Sequence, residues 1–159
     1  MKRALLLSLA SLIAGPASAG DARPVTWGEL MPPGQTAPFP QFGHPAADLA
    51  LPEAEQPGTF TVNPELISAK IRLEGFAVPL DMEGALVRRF LLVPYFGACI
   101  HMPPPPPNQI VSVTLADPLR LPSLDAIIAV EGTLVAERSE TRVAGAAYAL
   151  REARARRRR

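Results

Sequence analysis

The chain has 159 residues, 16 basic and 15 acidic, giving a formal net charge of +1, with 19 prolines, two histidines and one cysteine. That length suits one modest core and not two, and the single cysteine excludes an internal disulfide. Charges or prolines interrupt every apolar segment beyond the N-terminus, which excludes a later membrane-spanning helix.

The N-terminus reads as a secretory signal. Lys2 and Arg3 form a charged start, Ala4 to Ala14 an apolar run too short to span a bilayer, and Ala17-Ser18-Ala19 a small-residue cleavage pattern. The order predicts a signal peptide over 1–19, cleaved after Ala19, and a soluble periplasmic or secreted protein. No cysteine near that point offers a lipid-attachment site.

Residues 20–64 are rich in proline and glycine, which argues against helices. Trp27, Leu30, Phe39 and Phe42 are apolar anchors of a kind that purely solvating segments avoid. The segment is expected to be an extended arm that docks on the domain after it. Asn63-Pro64-Glu65-Leu66 predicts a short helix, with Asn63 as N-cap and Pro64 in the first position.

From Lys70 the period changes to two. Ile71, Leu73, Phe76 and Val78 predict a strand with a bulge or bend at Gly75. After a turn at Asp81 to Gly84, Val87 to Val93 predicts a second strand, paired to the first as a hairpin. Gln109 to Leu115 predicts a third strand and Pro118 to Leu124 a turn. Ala126 to Glu137 predicts a fourth strand with Gly132 inside it. Arg142 to Arg151 reads as a closing strand, although its alanines also suit a helix.

Charge is concentrated at the end. Residues 151–159 carry six arginines and one glutamate, against eight basic and fourteen acidic residues over 20–150. A polyarginine run can bind nucleic acid or anionic lipid. Nucleic acid is no partner for an exported protein, and short like-charge runs repel and stay disordered. The end is therefore expected to be a disordered tail following a domain at 65–150. Four or five strands, glycine bends and one short helix predict a mainly β fold: a small, partly open five-stranded barrel of the OB type. A β-sandwich is the alternative.

The most specific segment is Pro94-Tyr95-Phe96-Gly97-Ala98-Cys99-Ile100-His101-Met102, followed by Pro103, Pro104, Pro105, Pro106, Pro107, Asn108, Gln109 and Ile110. Together with Leu73 to Leu80 and the Trp27 to Pro33 arm, it resembles the exported bacterial domain-of-unknown-function family 3299. The resemblance covers about residues 25 to 150 and carries no catalytic activity. It implies export, often as a lipoprotein, and a setting near transport and metal-homeostasis components. Lacking the lipid-acceptor cysteine, this chain looks like a soluble variant.

On extended backbone, residues two apart share a face about 6.5 Å apart, so Cys99 and His101 can converge. They are good ligands for zinc or copper, but a closed site needs one or two more. His44 is the only other histidine, and Asp81, Glu83 and Asp125 are candidate oxygen donors. The bland reading is a packed thiol with a backbone-bonded histidine. Catalysis by the thiol would need a base and an oxyanion stabiliser, and no third orienting residue is evident.

The proline run is either a rod presented to a partner's aromatic groove or a segment gripped by Tyr95, Phe96 or Trp27 of the same chain. Asn108 and Gln109 would then cap open backbone positions where the chain re-enters the sheet. The sequence thus predicts an exported, non-enzymatic binding protein. Its candidate metal ligands are Cys99, His101 and His44, its ion zinc or copper, and its partner an envelope transporter or another periplasmic protein. An interaction module built on the polyproline segment and flanking aromatics is the second reading, and a thiol-dependent enzyme using Cys99 the third and minor one.

Overall fold

The computed structural model describes residues 22–35, 56, 58–98, 104–121 and 123–158. The expected signal peptide and its cleavage point, His44, Cys99, His101 and Pro103 lie outside the described residues.

Six strands account for most of the fold: β1 Arg23–Pro24, β2 Lys70–Pro79, β3 Leu86–Val93, β4 Val111–Arg120, β5 Ile127–Glu140 and β6 Gly145–Arg157. They form one sheet in the order β1-β2-β3-β4-β6-β5, and β5 also pairs with β2. Hydrogen bonds therefore run in a ring through β2, β3, β4, β6 and β5. The β4–β6 pair is parallel and the other ring pairs are antiparallel. The protein is mainly β as expected, with a closed five-strand ring that is not a regular barrel.

Ring closure turns on β2, which changes partner along its length. Lys70 to Phe76 pair with Thr133 to Ile127 of β5, and Phe76 to Pro79 pair with Val93 to Phe90 of β3. Gly75 stands at the crossover. A Cβ there would lie 2.5 Å from the Val93 carbonyl oxygen and 2.9 Å from the Trp27 ring. The bend expected at this glycine is the point where the ring folds round.

A second close approach occurs at Gly132, where a Cβ would meet the Arg151 carbonyl oxygen at 2.7 Å. Next to it, Glu152 takes a positive φ of 53° and the β5–β6 register shifts. The bulge resets the phase of β6: Tyr148 and Leu150 point into the core before it, Ala153 after it.

Inside the ring, Leu66, Ile71, Leu73, Phe90, Leu92, Val113, Ile128, Leu134 and Tyr148 belong to one cluster, with Leu30 of the arm packed among them. On the opposite side of β3, Leu91 and Val93 join Val78, Tyr95, Ala98 and Ile110 in a second cluster. β3 is buried on both faces because the chain flanking its link to β4 packs back on its outer side. This explains why Phe90 to Val93 is an unbroken apolar run rather than an alternating one.

Three expectations need correction. The short helix at Asn63 is a single 3₁₀ turn, Pro64–Leu66, capped by Asn63 Oδ1 accepting from Glu65 N at 3.0 Å. It stops because Ser68, at φ 67°, gives its N–H to the Leu134 carbonyl of β5 and commits the chain to the sheet. The turn or short loop expected over Pro118 to Leu124 starts later, because Pro118 to Arg120 still belong to β4 and the turn falls at Leu124 and Asp125. Leu115 to Pro118 bulge opposite Arg88, whose guanidinium donates to the Leu115 and Ala116 carbonyls that the bulge leaves open.

Nor is the arginine-rich end a disordered tail through 151–157. Arg154, Arg156 and Arg157 pair in β6 with Glu131, Ala129 and Ile128 of β5. The inward alanines Ala153 and Ala155 give this segment an apolar side, which a like-charge run alone would lack.

Gly75→Ala should lower the unfolding free energy by at least about 1–3 kcal/mol, because the added methyl meets backbone that cannot withdraw. Gly28→Ala, whose Cβ would find nothing nearer than 4.0 Å, should change it by less than about 0.5 kcal/mol. Urea denaturation midpoints check both.

Candidate functional site

Proline sets the problem at the polyproline segment. Pro105, Pro106 and Pro107 offer carbonyls but no N–H groups, so their acceptors must find donors elsewhere. Pro106 and Pro107 are served locally: Gln109 N donates to Pro106 O at 2.8 Å and Ile110 N to Pro107 O at 3.2 Å, closing the 3₁₀ turn Pro107–Gln109. Pro105 O takes its donor from Gln56 Nε2 at 2.8 Å. The same Gln56 amide donates to Gly145 O at 2.8 Å and accepts from Gly145 N at 2.7 Å, so it ties the run to the start of β6. Gly58 lets the chain lie directly on Pro106, where a Cβ would be 3.0 Å away.

The two amides after the prolines reach the arm. Asn108 Nδ2 donates to Thr61 O at 3.1 Å, and Gln109 Nε2 donates to Trp27 O at 2.9 Å. Trp27 in turn gives its indole N–H to Glu74 O at 2.8 Å, beside the Gly75 bend. Asn108 and Gln109 are only 2% and 1% exposed, and their side-chain oxygens accept no hydrogen bond. Two buried acceptors are thereby left open beside amide nitrogens that donate to backbone carbonyls.

Tyr148 joins the remaining pieces from within the core. Its hydroxyl donates to Leu30 O at 2.6 Å and accepts from Asn63 N at 2.6 Å. Asn63 Nδ2 continues the chain to Glu29 O at 2.8 Å. Burial pushes the Tyr148 phenol above its ordinary range, a shift partly opposed by the Asn63 N–H. Glu29 is held below the ordinary carboxylate range, first by the Thr26 backbone N–H and hydroxyl and then by Arg23. Its Oε2 takes the Thr26 N–H at 2.7 Å, which fixes the 3₁₀ turn Trp27–Leu30.

The residues assigned to partner contact therefore have different fates. Pro105, Pro106, Pro107, Asn108, Gln109 and Tyr95 are buried in their own protein, and Pro104 is half-buried. Buried side chains offer no surface to an aromatic groove, so the described prolines are an internal brace. Phe96 alone stands out, 51% exposed, its ring tilted at 56° against Phe76 with centroids 6.1 Å apart. Asn108 and Gln109 cap open carbonyls, as their position after the run suggests.

Gln56, Gly58 and the Trp27 carbonyl grip the described part of the run and the two amides after it. Gln56 and Tyr148 have no sequence signal of their own; the open carbonyls of a proline run are what call for such donors.

Of the candidate metal ligands, Cys99, His101 and His44 lie outside the described residues. Among the described residues no three His, Cys, Asp or Glu side chains cluster. Asp81 is already engaged: Arg89 Nε donates to its Oδ2 at 2.6 Å and Arg89 N to its Oδ1 at 3.0 Å, which lowers its pKa.

The family model described as "Protein of unknown function (DUF3299)" matches residues 27–157. The chain belongs to the DUF3299 family. Its fold is also similar to the crystal structure of a DUF3299 family protein from Pseudomonas aeruginosa PAO1, at 38% identity and a TM-score of 0.75, over 88% of this chain and 98% of that one. No curated protein matches. The DUF3299 match opens at Trp27, which reaches the Gly75 bend, and closes at Arg157, the last residue of β6. It thus takes in the arm and the arginine-rich strand as parts of one unit.

Tyr148→Phe should cost about 2–3 kcal/mol, since it leaves a buried carbonyl and a buried N–H unpaired. The phenol's folded-state pKa is raised, so its contribution is fully present below the unfolded value of about 10 and is lost as pH climbs through the folded value. The parent should lose stability in alkali by a component that Tyr148→Phe lacks, as read from denaturation midpoints at successive pH values.

Proposed function

We propose that this DUF3299 protein is an exported, non-enzymatic binding protein that carries Cys99 and His101 as a partial site for a soft metal ion, zinc or copper, in the service of an envelope transport system. Export rests on the charged start, apolar run and Ala17-Ser18-Ala19 pattern of the N-terminus. No helix among the described residues is long and apolar enough to cross a membrane.

The observation that carries the binding reading is the anchoring on either side of residues 99–103. Ala98 is buried in the second apolar cluster, and Pro105 to Gln109 are buried and hydrogen-bonded to the arm and to β6. The two ligands are thus tethered between fixed ends, which lowers the ordering cost of binding. Two ligands make an open site, and an ion held this way is ready to be passed to further ligands on a partner. On the described flank after the segment, the Gln56, Asn108 and Gln109 amides donate to backbone carbonyls and hold that flank in place.

The second reading, an interaction module, loses the buried prolines as its contact surface and retains Phe96 as an exposed aromatic.

Titration of the mature protein with Zn(II) and Cu(I), followed by competition with a chromophoric chelator, tests the metal reading. Micromolar binding in the parent that weakens at least roughly tenfold in both Cys99→Ala and His101→Ala is expected. No binding by the parent, or binding by both variants as tight as the parent's, overturns it.

A further inference from the structure

The arginine-rich strand is not needed for the site above, yet it is built into the sheet with its charge on one side. Ile71 and Leu73 of β2 point into the core, so Lys70, Arg72 and Glu74 point out. Ile128, Val130 and Leu134 of β5 are buried likewise, which turns Glu131, Thr133 and Glu137 outward. On β6 the bulge at Glu152 keeps Arg151 outward before it and Arg154 and Arg156 outward after it, and Arg158, just past the strand, reaches Glu74 on the same face. One outer face therefore gathers six cations against Glu74, Glu131, Glu137 and the bulge residue Glu152.

We infer that this face is a docking surface for anionic phospholipid headgroups. Three arginines meet carboxylates on it: Arg158 with Glu74 at 2.9 Å, Arg156 with Glu131 at 3.4 Å, and Arg151 with Glu137. All three pairs are solvent-exposed, and exposed pairs contribute little, so a guanidinium can exchange carboxylate for phosphate at small cost. Arg154, Arg72 and Lys70 form no ion pair among the described residues and leave the face net positive.

Outward residues two apart on a strand repeat at about 6.8 Å, which sets Arg154, Arg156 and Arg158 out in a row of planar forks suited to phosphate oxygens. Among the described residues the outward positions named on these strands carry no aromatic side chain on which bases could stack, so a single-stranded nucleic acid would find only charge on them. A planar array of phosphates needs only the charge.

Co-sedimentation of the full chain with vesicles tests the inference. One set is phosphatidylcholine alone and the other phosphatidylcholine mixed with phosphatidylglycerol. Lys2 and Arg3 at the N-terminus favour the anionic set as well, so the face is read from the arginine variants below, which leave that segment unchanged. Preferential binding to the anionic vesicles is expected, falling as salt rises, and dropping roughly fivefold for each arginine removed in Arg154→Gln and in the double variant with Arg156→Gln. Arg138→Gln, which changes a guanidinium 4.0 Å above the Phe60 ring and outside this face, should bind as the parent does. Equal binding to both vesicle sets overturns the inference. So does a double variant that keeps parental binding and an unchanged thermal midpoint, or a preference for single-stranded DNA over anionic vesicles at the same salt.

Discussion

Everything in this fold leans on the absence of a side chain at Gly75. β2 must give one half of its length to β5 and the other to β3 for the ring to close, and the change of partner brings the Val93 carbonyl to 2.5 Å from where a Cβ would stand. The same space admits the Trp27 ring, whose N–H is held by the neighbouring Glu74 carbonyl. Trp27 then uses its own carbonyl to hold Gln109. A bend in the sheet, the docking of the arm and the seating of the polyproline segment are thus successive consequences of one steric allowance. Each step hands the next a backbone group with a fixed direction.

The β period and its breaks were readable because they follow from local rules. Alternation from Lys70 to Val78, the hairpin turn before Leu86 and the glycines in β2 and β5 all mark what the sheet does at those places. Local rules failed where long-range pairing decided the outcome. The cap at Asn63 forms, yet the helix ends after one turn because Ser68 and Ala69 are claimed by Leu134 of β5. Pro118 reads as a turn, but a proline costs a bulged strand nothing, since its missing N–H faces no partner there. The arginine run reads as a solvated tail until Glu131, Glu137 and Glu74 are seen on the adjoining strands, and no spacing within 151–158 could reveal them.

The candidate site shows the same division. Five prolines in sequence announce a segment with unserved carbonyls, and the amides of Asn108 and Gln109 announce donors beside it. The donor for Pro105 lies 49 residues away at Gln56. The hydroxyl that ties the arm to β6 belongs to Tyr148, 118 residues from the Leu30 carbonyl that it meets. Composition gave these two no distinction, because one glutamine and one tyrosine become special only through topology. The polyproline segment is therefore best understood as a stiff spacer with its polar demands met by the rest of the chain.

That stiffness bears on what the flanking residues can do. A loop free to move would lose much of any binding energy to its own ordering, at roughly 1–2 kcal/mol for each residue fixed. Here the ordering is done in advance on both sides, by Ala98 in its apolar cluster and by the hydrogen-bonded run from Pro105. The side-chain amides of Asn108 and Gln109 serve the same bracing, donating to the Thr61 and Trp27 carbonyls of the arm. Bracing on both sides means that contacts made between them are spent less on ordering the chain and more on affinity.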